Sequence, residues 1–299
     1  MMSGVEGSDD MMRCASCGIA GVDDIKLKKC TACYLVKYCS IKCQKQQRPK
    51  HKRACKKRAA ELHDELLFKQ NESSHFGDCP ICFLPLPIDN ACPLTGCCSN
   101  FICNGCNYAN QMREQEENLK HTCPFCRHPL PNSQEEADRN YMKRVEANDP
   151  FAMCHMGGKR CDEGDYDGAF EYWTKAAGLG HVAAHFELSC MYRDGKGVEK
   201  DKKKELHHLE EAAIGGQLSA RFYLGCFEGK SGRHERAMHH FIISASLGEE
   251  DSMNSLKNGA YAGLVSEEDF AAALRAHQAA VDATKSPQRE AAEAFRHLM

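Results

Sequence analysis

The chain has 299 residues, long enough for two or three domains of ordinary size. A formal net charge of -3 and a pI of about 6.6 give no global bias toward nucleic acid or a membrane surface. Nor does any run approach the ~20 apolar residues of a membrane span. Cysteine is the compositional outlier: of 20, 16 lie between Cys14 and Cys126, and only Cys154, Cys161, Cys190 and Cys226 follow. The opening MMSGVEGSDD is acidic and polar, with no apolar stretch that could serve as a signal segment. The cysteines are therefore expected to be metal-binding thiols of a reducing, intracellular compartment, cytoplasmic or nuclear, rather than a secreted disulfide scaffold.

Residues 1–12 are expected to be a disordered tail. Ligand pairs then begin: Cys14 with Cys17, Cys30 with Cys33, Cys39 with Cys43, and His51 with Cys55. Two thiolates separated by two residues can reach one tetrahedral ion from a single tight turn, so four such pairs supply two complete sets of ligands. A segment this short buries too little apolar surface to fold alone. Structural zinc, worth roughly 10–16 kcal/mol in zinc-finger peptides, supplies what is missing. Nine Lys or Arg residues run from Lys42 to Arg58. They suit contact with phosphates or nuclear import, but the absence of interleaved aromatics favours a solvated helix face whose charge assists thiolate formation.

Residues 13–58 resemble the MYND zinc finger, with all eight ligand positions in place. The resemblance implies interleaved ligands: Cys14, Cys17, Cys39 and Cys43 on one ion, and Cys30, Cys33, His51 and Cys55 on the other. Members of that family mostly bind proline-containing peptides, and Leu35, Val36 and Tyr38, between the second and third pairs, are the candidate groove.

Residues 59–75 are expected to be a charged helical linker. A second run follows over 76–131: Cys79 and Cys82, then Cys97, Cys98, Cys103 and Cys106, then Cys123 and Cys126. It resembles a RING finger, the cross-braced fold of many ubiquitin ligases, which implies one ion on Cys79, Cys82, Cys103 and Cys106. The other site has Cys98, Cys123 and Cys126, but Asn100 stands where the family pattern wants histidine. An amide oxygen is a poor zinc ligand, so the fourth ligand is left open among Cys97, His121, His128 and a water, with partial replacement of the ion by hydrogen bonds a further alternative. The resemblance further places Ile81 and Pro124 at the contact with a ubiquitin-conjugating enzyme, and Arg127 where active ligases carry a cation. Such a ligase supplies no nucleophile and acts by positioning the charged thioester.

Over residues 132–299 alanine rises and helical spacing takes over. Asp149-Pro150 reads as a cap followed by proline in a first helical turn. Lys175-Ala-Ala-Gly-Leu-Gly180 returns as Glu211-Ala-Ala-Ile-Gly-Gly216 and as Ser244-Ala-Ser-Leu-Gly248. Trp173, Leu209 and Phe241 keep the same phase, as do Met156-Gly157, Leu188-Ser189, Leu224-Gly225 and Leu256-Lys257. This resembles the Sel1-type repeat, a relative of the tetratricopeptide helix pair, in which each pair covers its neighbour's apolar face. The aromatics read as packing, and His207, His208, His239 and His240 as surface residues.

The expected architecture is two small zinc-stabilised α+β modules followed by an all-α solenoid. Two functions survive. One is a RING-type ubiquitin ligase whose solenoid or MYND module recruits substrate. The other is a non-enzymatic adaptor, open to a transcription-related role, with structural zinc only, one or two ions in the second module and two in the first. No catalytic domain remains to be placed for a methyltransferase.

Overall fold

The computed structural model describes residues 13–21, 26–88 and 94–298; the tail expected over 1–12 lies outside them. The chain divides between Lys69 and Gln70 into two compact units.

In the first unit, β1 (Lys28–Lys29) pairs antiparallel with β2 (Lys37–Tyr38), and α1 runs from Ile41 to Leu67. Ser40 caps α1 by accepting the N–H of Cys43, which fixes Cys39 and Cys43 about one helical turn apart. The helix continues without a break past Arg58, so finger and connector share one element. Its core is the cluster of Cys14, Cys30, Cys33, Tyr38 and Cys43.

The second unit opens with α2 (Asn104–Glu116), flanked by isolated bridges at Asp78–Pro85, Leu94–Phe101 and Thr122–Pro129. Among the described residues this module has no strand. The expected α+β character is therefore confined to the two short strands of the first unit. Ligand-bearing turns leave too few residues between them for a ladder to extend.

Among the described residues this unit has eleven helices: α2, then α3 (Gln134–Glu146), α4 (Pro150–Asp162), α5 (Tyr166–Gly178), α6 (Val182–Asp194), α7 (Lys202–Ile214), α8 (Leu218–Lys230), α9 (His234–Ala245), α10 (Glu250–Tyr261), α11 (Glu267–Ala283) and α12 (Pro287–Leu298). The repeat phase acquires a structural meaning here. Gly180, Gly216 and Gly248 all adopt left-handed φ, at 84°, 90° and 95°. Each ends a helix with paired return bonds: the glycine N–H donates to Ala177, Ala213 or Ala245 O, and the N–H of the next residue to Ala176, Ala212 or Ser244 O. In two of the copies the large residue meets a glycine on the preceding helix. A Cβ on Gly157 would stand 2.5 Å from Trp173 Nε1, and one on Gly225 2.5 Å from Phe241 Cε1.

The second cysteine module is packed into the solenoid. Asn71 donates to Ile214 O and accepts from the buried Arg221 at 2.7 Å, and His75 N–H donates to Gly216 O. Tyr141 donates to Leu94 O at 2.6 Å, and α12 lies against α2, its backbone so close to Gly105 that a Cβ there would stand 2.9 Å from Arg289 N.

The histidine expectation is corrected in part. His207 and His239 are exposed, but His240 is fully buried. His208 stacks on Tyr192 and places Nδ1 3.1 Å from that of His185. Adjacent residues on a helix face different ways, so one member of each pair turns inward.

Candidate metal centres

Four of the ligand turns close by one rule. In the Cys14, Cys30, Cys79 and Cys123 turns, the residue after the second cysteine donates its N–H to the carbonyl of the first. That residue takes a left-handed φ: Gly18 at 77°, Tyr34 at 55°, Phe83 at 56° and Arg127 at 61°. Three of the four are not glycine, so the backbone is held there against its preference by the turn itself.

These turns bring ligand atoms into four sets, each within 4.8 Å of one another: Cys14, Cys17, Cys39 and Cys43; Cys30, Cys33, His51 and Cys55; Cys79, Cys82, Cys103 and Cys106; Cys97, Cys98, Cys123 and Cys126. A tetrahedral ion with Zn–S bonds of about 2.3 Å puts its sulfurs about 3.8 Å apart. The observed edges fit: 3.6 Å for Cys17–Cys39 and Cys39–Cys43, 3.8 Å for Cys30–Cys55 and Cys82–Cys103, 3.9 Å for Cys98–Cys123. His51 approaches Cys33 through Nε2 at 3.1 Å.

The position left open in the sequence goes to Cys97, whose sulfur is 3.4 Å from that of Cys126. His121 is instead engaged with Glu114, and His128 gives its backbone carbonyl to Cys123. Asn100 holds the turn, donating to Cys98 O at 3.0 Å, while the Thr95 hydroxyl lies 3.0 Å from Cys98 Sγ.

The electrostatics suit a cation. Burial opposes ionisation of Cys14, but backbone N–H groups of Cys17 and Cys39 outweigh it and bring the thiol down to about 6. Cys30 is likewise held at about 6 despite burial, with help from Ala32 N–H and His51. Their neighbours move the other way: Cys39 is pushed up to about 12 by the Cys17 and Cys43 thiols, and Cys55 to about 11 by burial and by Cys30. Four thiolates this close repel one another, so a set ionises fully only around a positive ion.

Sequence reasoning missed Arg289. Its guanidinium donates to Cys82 Sγ at 3.5 Å, to Leu84 O at 3.2 Å and to Pro85 O at 2.7 Å. A cation thus borders a four-cysteine set that would carry two net negative charges around zinc. It also missed a buried network. Glu114, 1% exposed, accepts from Asn110, from Thr122 and from its backbone N–H, and these bonds outweigh burial to hold its carboxyl below the usual range. Asn110 in turn accepts from Arg127 at 2.8 Å. Their spacing of one turn on α2 was the only trace in the sequence.

The three residues tied to conjugating-enzyme contact are placed differently from one another. Ile81 is 37% exposed, Pro124 is buried, and Arg127 is exposed but held on Asn110.

The three candidate groove residues differ in placement. Tyr38 is 3% exposed and belongs to the core of the first module, while Leu35 is 48% exposed. A cavity of about 310 Å³ lies between the turn at Cys30–Ala32 and α1, lined by Tyr38, by Gln44, Arg48, Lys52 and Lys56 of the helix, and by three ligands of one set, Cys30, His51 and Cys55. Leu35 and Val36 do not line it.

Residues 9–55 match the MYND finger model, and residues 152–181, 182–217 and 218–249 each match the Sel1 repeat. No family model supports a RING finger over the second cysteine run, which shares with that family its cysteine clusters. No curated protein matches the chain. Among solved structures, a Sel1 repeat protein from Oxalobacter formigenes is 20% identical over 58% of this chain and 71% of that one, with a TM-score of 0.44. The protective antigen c5321 of uropathogenic Escherichia coli, which displays an SLR fold, is 21% identical over 66% of this chain and 40% of its own, with a TM-score of 0.40. The chain thus carries a zinc-binding MYND finger at one end and Sel1 repeats in its helical array.

Proposed function

We propose that this protein is an adaptor in which zinc is structural, four ions build two finger modules, and the groove of the MYND finger and the Sel1 array each hold a protein partner. The observation that carries this reading is that each of the four sets offers four protein ligands. A site filled by protein leaves no coordination position for a water or substrate, which catalytic zinc requires. MYND fingers and Sel1 repeats are both protein-interaction modules, so the partners are proteins or peptides, proline-containing ones included. The test is a peptide array probed with the zinc-loaded full-length protein, beside a variant altered in the groove whose zinc content is unchanged. Peptides retained by the parent and lost by the variant support the reading, and no peptide held through the groove contradicts it.

A second reading, ubiquitin ligation, is favoured by one specific feature: Ile81 stands exposed on the first ligand turn of a cross-braced pair of clusters. Discharge of ubiquitin from charged conjugating enzymes onto free lysine decides between the two. Acceleration by the zinc-loaded protein, lost in Ile81→Ala and Arg127→Ala, would replace the adaptor with a ligase; no acceleration leaves the adaptor.

A further inference from the structure

Resting on the reading of the MYND module as a peptide holder, we infer that its groove takes an acidic peptide in extended conformation, with carboxylates at alternate positions. Arg48, Lys52 and Lys56 follow one another at four-residue intervals along the wall of the cavity. All three are exposed, and none forms an ion pair among the described residues. Four residues of helix rise about 6 Å. Side chains on one face of an extended strand repeat every two residues, at about 6.6–6.8 Å. A strand lying along α1 would therefore bring successive carboxylates opposite successive cations with little change of register.

The surroundings reinforce the sign. Between Ser40 and Glu61 there are nine Lys or Arg residues and no Asp or Glu. Among the described residues, only Lys57 and Arg58 of that run form ion pairs, with Glu61 and Glu65. On the facing turn Thr31 and Ala32 are small and uncharged, beside the ligand Cys30, and leave room for a backbone. With zinc, the Cys30, Cys33, His51 and Cys55 set would carry one negative charge, too little to neutralise its neighbours. Duplex nucleic acid fits less well, because the cavity of about 310 Å³ is too narrow to admit a double helix.

The test uses zinc-loaded full-length protein and fluorescent decapeptides with glutamate at alternate positions, or glutamine in its place, in fluorescence anisotropy. The glutamate peptide is expected to bind at least tenfold tighter at low salt. Lys52→Glu with Lys56→Glu should remove that advantage, whereas Lys50→Glu with Arg53→Glu, outside the groove, should change it less than threefold. Equal binding of both peptides through the groove would overturn the acidic preference while leaving the adaptor reading intact. Equal losses from the groove and off-groove pairs, or displacement of the peptide by an equal concentration of a short duplex, would mean a diffuse polyanion surface and would also overturn it. A groove that holds neither these peptides nor any peptide of the array would remove the adaptor reading itself.

Discussion

The two cysteine modules use the same turns and sets of the same size but are supported in different ways. In the first, one helix carries three of the eight ligands, Cys43, His51 and Cys55, and a capping serine fixes its start. In the second, support comes from far along the chain: Tyr141 on α3 holds Leu94, and Arg289 on α12 reaches the turn after Cys82. The lesson is that a module rich in ligands still needs a surrounding scaffold. A nearby helix supplies it in one case and a solenoid in the other.

That contrast is broken or sharpened first by removing the metal. Strong chelation is expected to unfold the first module outright, since structural zinc contributes roughly 10–16 kcal/mol in comparable peptides. Most helical circular dichroism should survive, because it comes from the solenoid. A parallel loss of the whole helical signal would show that the solenoid depends equally on zinc. Next in size is Arg289→Ala. Bordering groups of this kind are worth about 10–100-fold in metal affinity, so zinc release to a chromogenic chelator should accelerate about tenfold for the Cys79 set alone. Unchanged release would reduce Arg289 to a packing residue.

Gly225→Ala tests the solenoid by itself. The new methyl would collide with the Phe241 ring, and overpacking of this kind costs about 1–3 kcal/mol in a denaturant titration. A smaller, graded effect comes from pH. Burial holds His75, His181 and His208 down at about 4, below their ordinary 6.5, with nearby histidines adding to it. The unfolded chain then binds more protons between about pH 6.5 and 4, so stability is complete above that window and falls as pH drops through it. The melting temperature of the second unit should decline across that range, and His208→Phe should make the decline shallower.

Much of this was legible in the sequence because ligand spacing and repeat phase are local. The eight ligands of the MYND finger, the Asp149 cap and the glycine-ended repeats could all be read from residues within one or two turns of each other. The rest depended on closure in space. Cys97 meets Cys126 across 29 residues, and Arg289 meets Cys82 across 207. The burial of Tyr38 was not legible because it depends on two ligand pairs folding over it. His208 and His240 looked exposed because doublets of polar residues carry no periodic signal of which member turns inward.

The most direct test of the central claim, that four closed sets each hold one structural ion, is native mass spectrometry of gently purified protein beside Cys97→Ser. The account predicts four zinc ions per chain in the parent, and weakened or lost occupancy of one of them in the variant. Three or fewer ions in the parent, or a variant that retains four as tightly, would contradict it.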